Sequence, residues 1–161
     1  MNNMGNVVEA VRLWSEKFGA NIATDFNVDK KNITLGINLV EEEFKELKNE
    51  LYDEKNLKSL EKVDRNKATK EYADLLWVVI RLGMEMGIDI NSSVDAVYNS
   101  NMSKAVTEKD LQPSLDALKK KFPDSEFFTR RFHTESGRIM HVIYNDKGKI
   151  LKGIRYEEAR F

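Results

Sequence analysis

The fold is decided by the stretch Glu71-Tyr72-Ala73-Asp74-Leu75-Leu76-Trp77-Val78-Val79-Ile80-Arg81-Leu82, inside a run from Lys67 to Met86 with no proline. Its apolar residues surround the helix that this length and pattern predict, so most of the circumference is expected to be buried. Two carboxylates, Glu71 and Asp74, interrupt that run three residues apart and therefore lie side by side on one face. An ionised carboxylate taken out of water without a partner costs several kcal/mol. Some cation has to answer them.

Upstream, Thr34 to Glu54 reads as a second long helix, with Thr34 as its expected cap. Its apolar arc holds Leu35, Leu39, Val40, Phe44, Leu47 and Leu51. Glu43 falls inside that arc, Glu46 and Glu50 at one edge and Glu42 just beyond it, where an ordinary amphipathic helix would carry no acids. A first helix is expected from Val7 to Phe18, ended by Gly19, and a fourth from Asn91 or Ser92 to about Lys104. Ala20 to Asn32 reads as a loop, and Asn56 to Asn66 as a connection or a frayed continuation. Beyond Lys104 the pattern changes. Pro113 to Phe122 predicts a short helix, residues 126–134 and 138–144 read as strands, and Asn145 to Gly148 as a turn before a short strand at Lys149 to Leu151.

The expected fold class is mainly α, a four-helix bundle with a small C-terminal β-hairpin element. The expected division is a helical catalytic domain at 1–104 and an extension at 105–161, within the same domain or packed on it. At 161 residues the chain can hold one full core. It has no cysteine, which excludes disulfides, thiolate metal sites and a cysteine nucleophile. No run approaches the roughly 20 apolar residues of a membrane span. Met1 to Asn6 lacks the pattern of a signal peptide, so a cytoplasmic protein without a membrane partner is expected. The net charge of −1 argues against a broad nucleic-acid surface. It conceals seven acids against two lysines over 41–54, and eight bases against four acids over 130–161.

Two readings of the acids compete. In one, they pair with lysines or arginines or lie at the rim, as a single Glu-x-x-Glu usually does. In the other, two such pairs on apolar stripes of adjacent helices hold a hard divalent cation through oxygen.

The order Glu42-Glu43-Phe44-Lys45-Glu46, then 24 residues, then Glu71-Tyr72-Ala73-Asp74 resembles the Glu-Glu-x-x-Glu and Glu-x-x-Asp pattern of the all-α nucleotide pyrophosphohydrolases. That superfamily includes MazG-like enzymes, dimeric dUTPases and phosphoribosyl-ATP pyrophosphohydrolases. Leu75 to Val79, Gly87-Ile88-Asp89 and Asn101-Met102-Ser103-Lys104 extend the likeness. Asp146 to Gly153 with Tyr156 is similar to a C-terminal segment of one bacterial and phage branch. The likeness covers about 33–104 and 146–156, while 105–145 has no counterpart in it.

The resemblance implies hydrolysis of a nucleoside triphosphate between its α and β phosphates, giving a monophosphate and pyrophosphate. It implies Mg²⁺, with Mn²⁺ as a substitute, and a homodimer or homotetramer. Glu43, Glu46, Glu71 and Asp74 are then the expected metal ligands, and Glu42 the residue that orients or deprotonates the attacking water. Glu50 is either a support to this set or an ordinary edge residue. Asn101 and Lys104 are expected to contact substrate, with Lys149 and Lys152 adding phosphate contacts from a tail able to close over it. The alternatives are a phosphoribosyl-ATP-like or modified-nucleotide substrate, and a non-enzymatic helical interaction module. Trp14, Phe18 and Trp77 read as core, and His133 and His141 as structural.

Overall fold

The computed structural model describes residues 4–53 and 56–161, so Glu54, the expected end of the second helix, lies outside the described residues. The second and third helices begin at acidic caps, the second not at the threonine that the sequence suggested. Helix α1 spans Met4–Phe18, α2 Lys30–Leu51 and α3 Arg65–Glu85. The Asp29 carboxylate accepts the N–H groups of Lys31 and Asn32 at the start of α2, and Asp64 accepts those of Asn66 and Lys67 at the start of α3. Both satisfy first-turn donors that have no intrahelical partner. Thr34 sits one turn inside α2, where its hydroxyl donates to the Lys30 carbonyl at 2.6 Å.

The chain divides into two compact units, residues 1–91 and 92–161. In the first, α2 and α3 pack along each other and α1 packs on α3. Val11, Ile80 and Met84 form the buried centre, with Val7, Val8, Leu76 and Trp77 around them. Gly36 permits the approach of α2 to α3, since a Cβ there would lie 2.7 Å from Leu82 Cδ1. Gly87, at φ +69°, ends α3, and a side chain would meet the Asp25 carbonyl. Two-residue strands β1 (Tyr52–Asp53) and β2 (Asn56–Leu57) pair antiparallel between α2 and α3.

Helix α4, Ile90–Met102, leads into the second unit. There β3 (Val106–Thr107), α5 (Glu108–Lys121), β4 (Phe127–His133) and β5 (Ile139–Asn145) follow. The strands form one antiparallel sheet in the order β3-β5-β4, with Thr129 opposite Ile143 and Val106 opposite His141. Val106, Leu118 and Ile143 are buried together, so α5 covers one face of this sheet. The segment after β5 is tied down. Ile154 N–H donates to Ser114 Oγ, Glu157 N–H donates to Ser103 Oγ, and Ser100 Oγ donates to the Glu157 carbonyl.

The expected four-helix bundle with one hairpin does not hold. The described residues form five α-helices and two small sheets, a mixed α/β architecture. Two-residue strands such as Val106–Thr107 are too short to show an alternating pattern, so the third strand of the second sheet left no periodic trace. Helix α5 starts five residues before Pro113, the expected start. Pro113 lies inside it, and at Thr107 the hydroxyl donates to Asp110 Oδ2 at 2.7 Å. The expected strand at Lys149 to Leu151 is a single bridge between Tyr144 and Ile150.

Candidate metal centre

The packing of α2 against α3 brings acids from both helices to one place. Glu43 and Glu46 project from α2 and Glu71 from α3, and one carboxylate oxygen of each lies within 4.8 Å of the others. Spacing explains the set: Glu43 and Glu46 are three residues apart and share a face, as do Glu71 and Asp74. Glu71 is the most covered of these acids for which exposure bears on the chemistry, with 12% of its side chain accessible against 44% for Asp74.

Like charges so close resist ionising together. Burial pushes the Glu43 carboxyl up from its ordinary value, and the charges of Glu46, Asp74 and Glu71 add to the effect. A hydrogen bond with Glu71 raises Glu46, with further contributions from burial and from the charge of Glu71.

One cation is built in. The Lys70 ammonium lies 3.1 Å from both Glu71 oxygens and 2.9 Å from Asp74 Oδ2. Hydrogen bonds to Asp74 and Glu71 raise its pKa. Its side chain remains 64% exposed, so it can swing into water at little cost. Sequence reasoning passed over Lys70, although its spacing of four from Asp74 is an ordinary helical ion pair. Glu85 was also missed. It is 5% exposed, and Arg81 Nε donates to its Oε1 at 2.8 Å, which supplies its countercharge.

Glu42 is exposed on α2, and its charge is among those lifting Glu46. Glu50 is half-buried one turn beyond Glu46. Asn101, Lys104, Lys149 and Lys152 belong to the second unit. Lys104 donates to Asn101 Oδ1 at 2.6 Å, as their spacing allows. Lys104, Lys149 and Lys152 line one cavity there, together with Lys121, which sequence reasoning had no reason to single out. His141 is buried, with Nε2 2.6 Å from Glu108 Oε2.

The donor set on α2 and α3 is all oxygen and anionic, the chemistry that suits Mg²⁺ or Mn²⁺. The chain matches no family model and no curated protein.

Proposed function

We propose that the chain is a divalent-metal-dependent nucleoside triphosphate pyrophosphohydrolase. The observation that carries this reading is the meeting of Glu43, Glu46 and Glu71 oxygens within 4.8 Å, from two helices, with burial and neighbouring acids working against the ionisation of Glu43 and Glu46. Acids arranged in this way favour whatever brings positive charge among them. Glu43, Glu46, Glu71 and Asp74 would hold the metal, which when bound supplies charge neutralisation for the polyphosphate and a more acidic water.

Lys70 would leave Glu71 and Asp74 as the ion enters. Glu42, exposed beside the set, would accept the proton of the attacking water. The water oxygen bonds to the α phosphorus, the bridging P–O bond breaks, and pyrophosphate carries away the electron pair. An apolar groove of about 680 Å³ runs one turn along the same two helices, lined by residues that include Leu47, Leu51, Ala68 and Tyr72. Leu47 lies four residues from Glu43, and Ala68 three from Glu71, so the groove is placed to receive a base or sugar. The expected phosphate contacts Lys104, Lys149 and Lys152 line a cavity of the second unit and have no part in this step.

We further place the protein in the cytoplasm as a homodimer or homotetramer. No helix among the described residues is long and apolar enough to cross a membrane. Leu35, Phe44, Tyr72 and Val79 on α2 and α3 are exposed apolar side chains that a second copy would cover.

A second reading has an observation of its own. The ion pairs of Lys70 fit a helical interaction module whose acids are balanced internally. The deciding experiment incubates the chain with canonical and modified NTPs and dNTPs plus Mg²⁺ and separates monophosphate and pyrophosphate from diphosphate and phosphate. Hydrolysis to monophosphate that disappears in Glu71→Gln supports the enzyme. No turnover across the panel refutes it.

A further inference from the structure

A cavity of about 360 Å³ lies within the second unit, between the C-terminal half of α5 and residues 149–154. Its size is at the lower end of the range for small-molecule sites. Four lysines line it: Lys104 after α4, Lys121 at the end of α5, and Lys149 and Lys152 after β5. None of its lining residues is acidic. The rest of the wall is chiefly apolar, from Leu118, Phe122, Ile150, Leu151 and Ile154.

Lysines in the last turn of a helix often answer its dipole, and Lys119, Lys120 and Lys121 of α5 fit that account. It does not explain why Lys104, Lys149 and Lys152 come to the same cavity from two other segments. Nor do local partners absorb their charge. Lys104 donates to the neutral Asn101 amide. Lys152 stands 4.0 Å over the Tyr156 ring and 3.6 Å from the exposed Glu158, so only a loose pair opposes it. Four lysines lining one cavity with an apolar wall offer a dianion favourable charge from several sides.

We propose that this cavity binds a nucleoside monophosphate without metal, its phosphate on the lysines and its base against Phe122 and the neighbouring aliphatic side chains. The phosphate half of this assignment stands on the cavity alone. The nucleoside half rests on the pyrophosphohydrolase reading, which releases such a molecule as product. Apolar wall and cationic rim divide the ligand as a nucleotide is divided, with a ring at one end and a phosphate at the other. The phosphate supplies the charge-assisted bonds and the ring supplies buried area.

The test uses the full chain in excess EDTA, where the acids on α2 and α3 hold no ion. Four deoxynucleoside monophosphates, the matching nucleosides and inorganic phosphate are titrated by calorimetry and by methyl NMR. At least one monophosphate is expected to saturate and to move the methyl signals of Leu118, Ile150 and Leu151. The nucleoside and inorganic phosphate are each expected to bind at least about tenfold more weakly, as loss of one half of a divided ligand implies. Lys121→Glu and, separately, Lys149→Glu should weaken binding by a similar factor while melting as the parent does; both side chains are exposed. Glu71→Gln should leave it unchanged. Absence of saturable binding by every monophosphate overturns the proposal, as does binding indifferent to both charge reversals or lost in Glu71→Gln. Inorganic phosphate binding as well as the nucleotides do would overturn the nucleoside half. Because no metal and no turnover enter this measurement, a failed hydrolysis screen and a failed binding experiment remain separate results.

Discussion

Adding a divalent cation to the metal-free chain is expected to raise its melting temperature. One carboxylate oxygen each of Glu43, Glu46 and Glu71 lies within 4.8 Å of the others. Two oxygens on opposite sides of one magnesium are about 4.2 Å apart, twice a bond of about 2.1 Å, and on opposite sides of one calcium about 4.6–5.2 Å. Bridging any two of the three by Mg²⁺ therefore needs an inward movement of at most roughly 0.6 Å, which side-chain rotation on two packed helices can supply. Both ions should stabilise. An ion present at ten times its dissociation constant adds about 1.4 kcal/mol by mass action. For a chain of this size melting as one, that is roughly 3–6 °C, and about twice as much if the helical unit melts alone. Scanning calorimetry on protein stripped with EDTA, then titrated with each ion, reads the effect. A melting temperature indifferent to both ions up to millimolar concentrations refutes the metal site. So does an equal rise in Glu71→Gln, in which a ligand oxygen has become an amide.

Three further expectations follow from the charges. Lys70→Gln removes the ammonium that the entering ion must displace, so it should bind Mg²⁺ several-fold more tightly; calorimetric titration giving weaker binding would make Lys70 a contributor to the site rather than its occupant. In EDTA, Glu43→Gln should raise the melting temperature by removing a like charge from a half-buried site, whereas Glu85→Gln should cost about 3 kcal/mol or more by stranding Arg81; the same sign for both would contradict the different surroundings of the two acids. Asp110 is held below its ordinary value of 3.8 by the Thr107 hydroxyl and by Arg155 beside it. A carboxyl lowered by folding contributes stability that is complete above its unfolded value and is lost as the pH falls through the folded one. Asp110→Asn should thus unfold at lower urea than the parent at pH 7, with the gap closing as the pH drops below about 4; a gap constant with pH would refute this.

The parts of the fold that were readable are those with a long period. Val7, Val11 and Trp14 announce α1 and the apolar run 71–82 announces α3, because a packed face leaves a mark at helical spacing; Phe18, expected in the core, is 71% exposed, and Tyr72 and Val79 show that the circumference of α3 is only partly covered. Gly19 and Gly87 mark ends since each adopts positive φ. Elements fixed by one or two contacts left no such mark. β1, β2 and β3 have two residues each, and the caps Asp29 and Asp64 compete with many other polar residues in the loops before α2 and α3. The candidate site divides in the same way. Glu43 and Glu71 stood out because an acid within an apolar arc contradicts the rest of the arc. Lys70 and Lys121 did not, because an exposed lysine on a helix contradicts nothing until its neighbours from other segments are seen. Glu85 left no mark because its countercharge, Arg81, and the packing that covers both are visible only in the folded chain.

Helix α3 handles its two most covered acids in opposite ways, and the contrast separates structure from chemistry. Glu85 meets Arg81, whose side chain is mostly covered and whose guanidinium lies 5.6 Å over the Trp14 ring. That cation is fixed by packing and cannot leave without exposing the acid. Glu71 meets Lys70, an exposed amine on a flexible stem that serves Asp74 as well. Glu43 feels the charges of Glu46 and Asp74 more than the opposing charge of Lys70. A pair meant only to hold helices together has no use for an exchangeable cation or for a third carboxylate that burial discourages from ionising. On the proposed reading, the acids on α2 and α3 are balanced for a positive charge that comes and goes, as a metal travelling with a polyphosphate would.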